Sequence, residues 1–514
     1  MIIAYDLGTS GLKASLHHDD GGIIASSFHA YPTFFPAPGF QEQRPADWRD
    51  AVCGATRALL AQSGARPNAA ALSGQSLAPV LMDSDGNLIL ESVPIWCDTR
   101  ATAETQEFFT AVDYKEWYLA TGNGDPPETY TIMKLMWLKR HYPEACARTS
   151  VVLGSKDYVN YILTGKTGTD FSYASGSGVF DLEHLCYRDD FCKAAGISRN
   201  IFPPPLASHQ IVGRVTPEAA VQSGMPEGIP VALGGVDNAC MSLGALGLEE
   251  GRAYMSLGSS AWIAVTSKKP VLDLQTRPFV FAHAEKGLYT SGVSIFAAGS
   301  AYRWASEELC ADLPQGGERF QAMDKLAAKS VPGANGVLFN PALSGGSGQE
   351  PGAGLRGAFL GLRMASTRGD LLRAVMEGVA FSMENYCMRA LRRHVDINGG
   401  LAVCGGGAES AVWSQIFADV FNMPVLLNRH VQNAASLGAA AIAARAAGLW
   451  KDYAPLEHLL RSEKEYKPIA ANTQLYKRRS DIFDQWTRSI LPFCEQLNAL
   501  LEKEEPRLKE DTDE

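Results

Sequence analysis

Twice in this chain a short apolar strand runs into a bend of glycine and hydroxyl residues and then into a second strand. The first copy is Ile2 to Tyr5, a polar bend from Asp6 to Gly11, then Leu12 to His17; the second is Arg252 to Leu257, Gly258-Ser259-Ser260, then Ala261 to Val265. Glycine permits the tight reversal, and small polar residues complete the bend. Two such units about 250 residues apart suggest two related lobes, each opened by a hairpin. The boundary is expected near Leu243–Gly251, after Gly234-Gly235-Val236-Asp237-Asn238. That divides the chain into 1–246, 247–475 and a C-terminal helix with a charged tail, 476–514, in which Glu502 to Glu514 reads as solvated. Asp47 is a candidate N-cap for a helix through Trp48, Val52 and Leu59, and Asp370 to His394 has the spacing of one amphipathic helix.

Composition narrows the function classes. With 46% hydrophobic and 20% charged residues, the 514-residue chain is globular and large enough to bury a core. Its 46 Lys+Arg against 56 Asp+Glu give a net charge of −10, which argues against a general nucleic-acid binder. The start MIIAYDLGTSG lacks the basic and long apolar regions of a signal peptide, and no apolar run approaches the roughly 20 residues of a membrane span. Ten cysteines occur without a CxxC pair, and Cys53, Cys97, Cys240 and Cys404 sit among apolar or small residues. They read as buried reduced thiols, and the chain as cytoplasmic, with no membrane or nucleic-acid partner.

Asp6-Leu7-Gly8-Thr9-Ser10-Gly11-Leu12-Lys13 has the parts of a phosphate turn. Backbone N–H groups and the Thr9 and Ser10 hydroxyls can face an anion, Lys13 adds charge, and Asp6 can hold Mg²⁺ through water. A plain hairpin bend accounts for the same residues. Gly258-Ser259-Ser260 and Gly405-Gly406-Gly407-Ala408 repeat the logic. Three glycines between a strand and a helix are entropically costly, and close approach of a flat or phosphorylated ligand explains them better than packing. Other motifs fail. Gly165-Lys166-Thr167 has Asn160 where a P-loop needs glycine, and Gly352 to Gly357 follows Pro351 rather than a strand. HExxH, GxSxG and metal-spaced histidines are absent.

Asp237 follows the apolar run Ile229 to Leu233 and a pair of glycines. It is either the N-cap of a helix from Ala239 to Leu246 or, opposite a nucleotide, a base for a substrate hydroxyl, with Asn238 as a hydroxyl partner. Ser73-Gly74-Gln75 and Trp96-Cys97-Asp98-Thr99-Arg100 mix apolar surface with dense hydrogen bonding, as polyol recognition requires. A core role for Trp96 and a surface ion pair for Asp98 and Arg100 remain the plain alternative.

These pieces line up with a family: the sequence resembles the FGGY carbohydrate kinases. Gly357-x-Phe359-x-Gly361-Leu362, Asp370-Leu371 and Ala374-Val375-Met376-Glu377 are similar to its C-terminal signature. Lys134-Leu135-x-Trp137-Leu138 resembles the N-terminal one, with Thr129 departing from that pattern; DLGTSGLK, SGQ, W-x-D-x-R, GGVDNA and GGGAES follow in the family's order. The resemblance implies an α/β, two-lobed actin/hexokinase-like (ribonuclease H-like) fold, each lobe a mixed sheet flanked by helices, around an ATP cleft. It implies ATP and Mg²⁺ as cofactors, Asp6 as the metal-linked acid, and Gly8, Thr9, Ser10 and Lys13 at the phosphates. Gly258, Ser259 and Gly299 fall at the second phosphate turn; Gly406, Gly407 and Ser410 fall at the nucleoside. Asp237 falls at the general base, and Gln75, Ser76, Leu77, Trp96, Asp98, Asp237 and Asn238 at the sugar. The implied activity is phosphorylation of a small sugar, first a ketopentose such as xylulose, with ribulose, rhamnulose, glycerol or an erythritol-like polyol as alternatives. Homodimerisation is a family expectation.

Two departures touch the substrate side. Members acting on xylulose usually continue SGQ with Met-His-Gly, where this chain has Ser76-Leu77-Ala78, and Ser344 to Glu350 replaces an SGERTP-like stretch. Reaction class is therefore better marked than the sugar. An actin- or chaperone-type ATPase, and a sugar sensor without catalysis, are the rivals.

Overall fold

The opening apolar runs form the strands Ile2–Leu7 (β1), Gly11–His17 (β2) and Ile23–Ala30 (β3). In the computed structural model, which describes residues 1–246, 248–428 and 433–510, β1 and β2 pair antiparallel, as do β2 and β3. Ala69–Gly74 (β4) lies parallel to β1 on its other side, with Ile2 opposite Ala69 and Leu7 opposite Gly74. Ile211–Arg214 (β5), Pro230–Ala232 (β6) and Gly235–Val236 (β7) complete a sheet in the order β5-β6-β4-β1-β2-β3, with β7 also beside β4.

A second sheet repeats this plan. Ala253–Leu257 (β8) and Ala261–Ser267 (β9) form an antiparallel hairpin, and Leu401–Cys404 (β10) runs parallel to β8. Val425–Leu427 (β11) is parallel to β10, and Lys464–Tyr466 (β12) is antiparallel to β11. The run β9-β8-β10-β11-β12 thus has the same sequence of antiparallel, parallel, parallel and antiparallel pairs as β2-β1-β4-β6-β5. The repeated hairpin seen in the sequence is the visible end of a repeated sheet.

The helix Pro45–Ser63 buries Trp48, Val52 and Leu59 in the core that also holds Ile3, Tyr5 and Leu12. Its N-cap is Arg44 rather than Asp47: Pro45 fixes the first helical position, and Asp47 falls within the first turn. Ile2, Ala4, Ala69 and Ala71 belong to another core, with the helix Ala434–Ala446 and with Cys240 and Leu243 of the helix Asp237–Leu246. Those two helices meet backbone to backbone. A Cβ on Gly438 would lie 2.0 Å from the Cys240 carbonyl, and one on Gly244 would lie 2.0 Å from that of Ala434.

Around the second sheet, the expected helix Asp370 to His394 is three consecutive pieces. Arg368–Ser382 is α-helical and begins at a Thr367/Asp370 capping box; a π-helical turn, Met383–Met388, and Arg389–Arg392 follow. The chain divides into two compact units, one comprising Met1–Glu250, Thr266–Ser291 and Arg429–Arg461, the other Gly251–Val265, Gly292–Asn428 and Ser462–Glu514. A single cut near residue 246 does not describe this division, because the helix Ala434–Ala446 packs in the first unit's core. The last helix spans Ala470–Glu510; the side chains of 502–510 and all of residues 511–514, most of the expected charged tail, lie outside the described residues. All ten cysteines are free thiols, with Cys53, Cys240 and Cys404 buried and Cys97 half-buried. Among the described residues, no helix is long and apolar enough to cross a membrane.

Candidate active site

The bend between β1 and β2 closes with the Gly8 amide donating to the Gly11 carbonyl over 3.1 Å. Its outer face carries Thr9, half-buried, and Ser10, exposed. Neighbours fix its shape: Gln43 Nε2 donates to the Thr9 carbonyl (2.6 Å), Trp96 Nε1 to Thr9 Oγ1 (2.8 Å), and the Tyr31 hydroxyl to the Gly8 carbonyl. Lys13 extends from β2 and donates to Asn433 Oδ1. Asp6, near the end of β1, accepts from Ser73 Oγ at 3.3 Å. Burial pushes its carboxyl up to about 6, against the opposing pull of the Ser73 hydroxyl and the Lys13 charge.

Asp237 opens its helix just beyond β7, whose residues Gly235 and Val236 sit beside Ser73 and Gly74 of β4. Glycine is required in this turn. Gly234 has φ +77°, and a Cβ there would lie 2.0 Å from the Leu72 carbonyl. Asp237 is partly exposed, and its Oδ1 accepts the Asn238 amide over 2.8 Å. Burial, reinforced by the charge of Asp6, raises its carboxyl to about 7 although the Asn238 amide favours the ionised form. Two carboxyls are thus poised near neutrality in one unit, where proton acceptors are most useful.

The expected sugar-side residues separate into groups. Gln75 is fully buried; its Nε2 donates to Gln43 Oε1 over 2.6 Å, and its Oε1 makes no hydrogen bond among the described residues. Ser76 is buried. Leu77, at φ +66°, lies in an apolar core, and its carbonyl accepts from Lys134. Trp96 is 45% exposed, its indole N–H held by Thr9, so it is not the core aromatic of the plain alternative. Asp98 is fully buried, and both its oxygens are taken: Arg100 Nε reaches Oδ1 at 2.9 Å, Arg100 Nη2 reaches Oδ2 at 2.7 Å, and the Gln41 amide reaches Oδ2 at 2.7 Å. A carboxylate so engaged holds the loop that carries Trp96. Arg100 is closed in turn by Glu42 at 2.7 Å and by the rings of Phe40 and Trp137.

Three contributors escaped sequence reasoning. Gln43 joins the phosphate turn to Gln75, and Trp48 holds Gln43 Oε1 through its indole N–H at 3.0 Å. Lys134, fully buried, donates to the carbonyls of Leu77 (3.2 Å) and Ile95 (2.6 Å), tying together the loops that carry Gln75 and Trp96. Burial without a bonded carboxylate pushes its ammonium down to about 7. Its place in the resembled signature was the only signal for it.

The remaining expected residues lie in the second unit. The Gly258 amide donates to the Ser260 carbonyl (3.0 Å) between β8 and β9, and the amides of Ala298, Gly299 and Ser300 donate back onto the carbonyls of Gly258 and Ser259 at 2.9 to 3.0 Å. Gly299 is needed for that contact, since a Cβ would stand 2.2 Å from the Gly258 carbonyl. Beyond β10, Gly406 and Gly407 lead to Ser410, whose side chain caps the helix Ala411–Phe421 at the Trp413 amide. All six of Gly258, Ser259, Gly299, Gly406, Gly407 and Ser410 line one cavity of about 530 Å³. Tyr302, Arg303, Phe320, Gln321 and Asp324 join its wall; their helical segments gave no signal beyond amphipathic spacing.

The cavity is lined by aromatic rings, polar side chains and glycine turns. A Cβ on Gly406 would meet no protein atom within 4 Å, so that glycine leaves room for something other than protein. No group of three or more His, Cys, Asp or Glu that could hold a metal occurs among the described residues.

Models of the FGGY family of carbohydrate kinases match the chain up to residue 447, the N-terminal domain over residues 1–244 and the C-terminal domain over 253–447. Xylulose kinase of Bacillus subtilis (strain 168) is 30% identical over 506 residues, covering 97% of this chain and 98% of that protein. Gluconokinase of the same strain is 24% identical over 494 residues, 95% of this chain and 96% of that protein. The crystal structure of xylulose kinase from Rhodospirillum rubrum matches with a TM-score of 0.84 and 29% identity, over 96% of this chain and 99% of that one. The fold, two sheet-containing units flanked by helices, is of the actin/hexokinase-like class.

Proposed function

Because the chain belongs to the FGGY family of carbohydrate kinases and is a sugar phosphotransferase, we propose that it transfers the γ-phosphate of Mg-ATP to a hydroxyl of xylulose. The observation that carries the chemistry is Asp237: a carboxyl raised to about 7, at a glycine turn, in the same unit as Asp6. Asp237 takes the proton of the acceptor hydroxyl as its oxygen attacks phosphorus. Thr9, Ser10 and Lys13 hold phosphate oxygens in the first unit, and Gly8 lets the bend approach them. Gly258, Ser259 and Gly299 form the second phosphate turn, and Gly406, Gly407 and Ser410 face the nucleoside. Mg²⁺, anchored at Asp6, neutralises phosphate charge when bound.

On the acceptor side, Asn238 adds a polar contact, Trp96 gives an apolar face, and the buried Gln75 supports the site through Gln43. Ser76 and Leu77, next to Gln75 in the chain, shape its loop, and Asp98 contributes through the loop it holds. A wider acceptor range is supported by Ser76-Leu77, which replaces the Met-His expected for xylulose, and by the full-length similarity to a gluconokinase. Coupled ADP release under Mg-ATP across xylulose, ribulose, rhamnulose, gluconate, glycerol and erythritol decides the acceptor. Xylulose should give the highest kcat/KM, and a tenfold preference for another acceptor would replace it. ATP turnover indifferent to every acceptor would point to an ATPase; acceptor binding without product would point to a sensor.

A further inference from the structure

Behind the Asp237 turn lies a buried polar cluster with no apparent need to exist for packing. Lys156, on the helix Ser155–Thr164, is wholly buried between two carboxylates, Asp157 and, at 2.9 Å, Asp170. A buried ion pair is at best a weak contributor to stability, so a cluster of this kind calls for another account. Three of its bonds reach the turn that precedes Asp237, two directly and one through Ser172. Lys156 Nζ donates to the Leu233 carbonyl at 3.1 Å, and Asn160 Nδ2 donates to the same oxygen at 2.9 Å. Asp170 Oδ2 accepts from Ser208 Oγ at 2.8 Å and from the Ser172 hydroxyl. Ser172 Oγ then accepts the Val236 amide at 2.9 Å.

The direction of that last relay is forced. A carboxylate can only accept and a peptide N–H can only donate, so the one Ser172 proton must point at Asp170 and a lone pair must face Val236. The charge of Lys156 holds Asp170, Asp170 orients Ser172, and Ser172 fixes the amide of Val236, the residue immediately before Asp237. The other end of the turn is held at Leu233, and Gly234 between them is in a left-handed conformation where a Cβ would strike the Leu72 carbonyl.

We propose that Lys156, Asn160, Asp170 and Ser172 form a positioning network that sets the Asp237 carboxylate against the acceptor hydroxyl. None of the four touches the reacting atoms. A displacement of about 1 Å in a reacting group can cost about a hundredfold in rate, so a network of this kind acts on turnover more than on affinity.

The inference rests on Asp237 as the base, and the test separates the two. Steady-state kinetics of Ser172→Ala, Ser172→Thr, Asn160→Leu and Asp237→Asn are compared with the parent, with kcat followed from pH 5.5 to 9. Ser172→Ala should lose about 10- to 100-fold in kcat, with KM for ATP and acceptor within about threefold and the acid limb displaced from that of the parent. Ser172→Thr, which keeps the hydroxyl, should recover most of the loss, and Asn160→Leu should show a smaller kcat-specific loss. Near-parental kcat in a folded Ser172→Ala, or equal losses in the Ala and Thr variants, would overturn the positioning role while Asp237→Asn remains inactive. Substantial turnover in Asp237→Asn would overturn the base itself.

Discussion

At Asp237 the cost of burying a carboxylate coincides with the use of one. Burial and the neighbouring Asp6 raise its carboxyl from 3.8 to about 7. The ionised form is the one that can take a proton, so kcat should climb about tenfold per pH unit below 7 and level off above it. A flat profile from pH 5.5 to 8 would remove Asp237 from the proton transfer. Asp237→Asn should lower kcat by about 100-fold or more while calorimetric ATP affinity stays within twofold. The same shift has a stability consequence of fixed sign. Between about pH 4 and 7 the folded chain holds a proton that the unfolded chain has released, so this group's contribution to stability falls as pH rises through that window. Asp237→Asn should therefore melt about 2 °C above the parent at pH 8, with the gap closing near pH 4. Equal melting temperatures at pH 8 would contradict the raised pKa. Asp237 was legible in sequence because glycines after an apolar run mark a strand end. Gln43 was not, because nothing local distinguishes it from any polar residue before a helix.

Among the elements, the helix Asp237–Leu246 is held by an unusually close neighbour. Gly244 and Gly438 let it meet the helix Ala434–Ala446 with carbonyls where side chains would otherwise stand. Gly438→Ala should cost about 1–3 kcal/mol and lower turnover, because the carbonyl it strikes belongs to Cys240, one helical turn beyond Asp237. Denaturant unfolding with parallel kinetics would show both effects; an unchanged midpoint would mean that the helices can separate freely. The hairpins could be foreseen because a glycine bend between apolar runs is a local signal. The start of the helix Pro45–Ser63 was misjudged because Asp47 is a good cap only when no proline already fixes the first turn. The π-helical turn Met383–Met388 had no local mark, since its apolar spacing reads as a continuous helix.

Across the whole molecule, a net charge of −10 sets a weak field against ATP, which leaves recognition to short-range groups. Gly406 offers a test free of folding effects. Its Cβ position is open, so Gly406→Ala should leave the melting temperature unchanged yet raise KM for ATP about threefold or more, with acceptor KM unaltered. An unchanged ATP KM would detach this turn from the nucleotide. Two lobes were legible because the repeated bend is written in contiguous residues. The return of the chain to the first unit was not, because helix Ala434–Ala446 reads as apolar on every side and nothing in its order says which sheet it covers.

That return has a practical consequence for anyone cutting the protein apart. A fragment ending at residue 250 would retain β1 and β4 but lose the helix that shares a core with Ile2, Ala4, Ala69 and Ala71. It would also lose Trp450, whose indole N–H donates to the Asp19 carbonyl at 2.7 Å. Such a fragment should be insoluble by itself and rescued only by co-expression with both missing segments, 266–291 and 433–461, a split that a two-bead picture of the chain would never suggest.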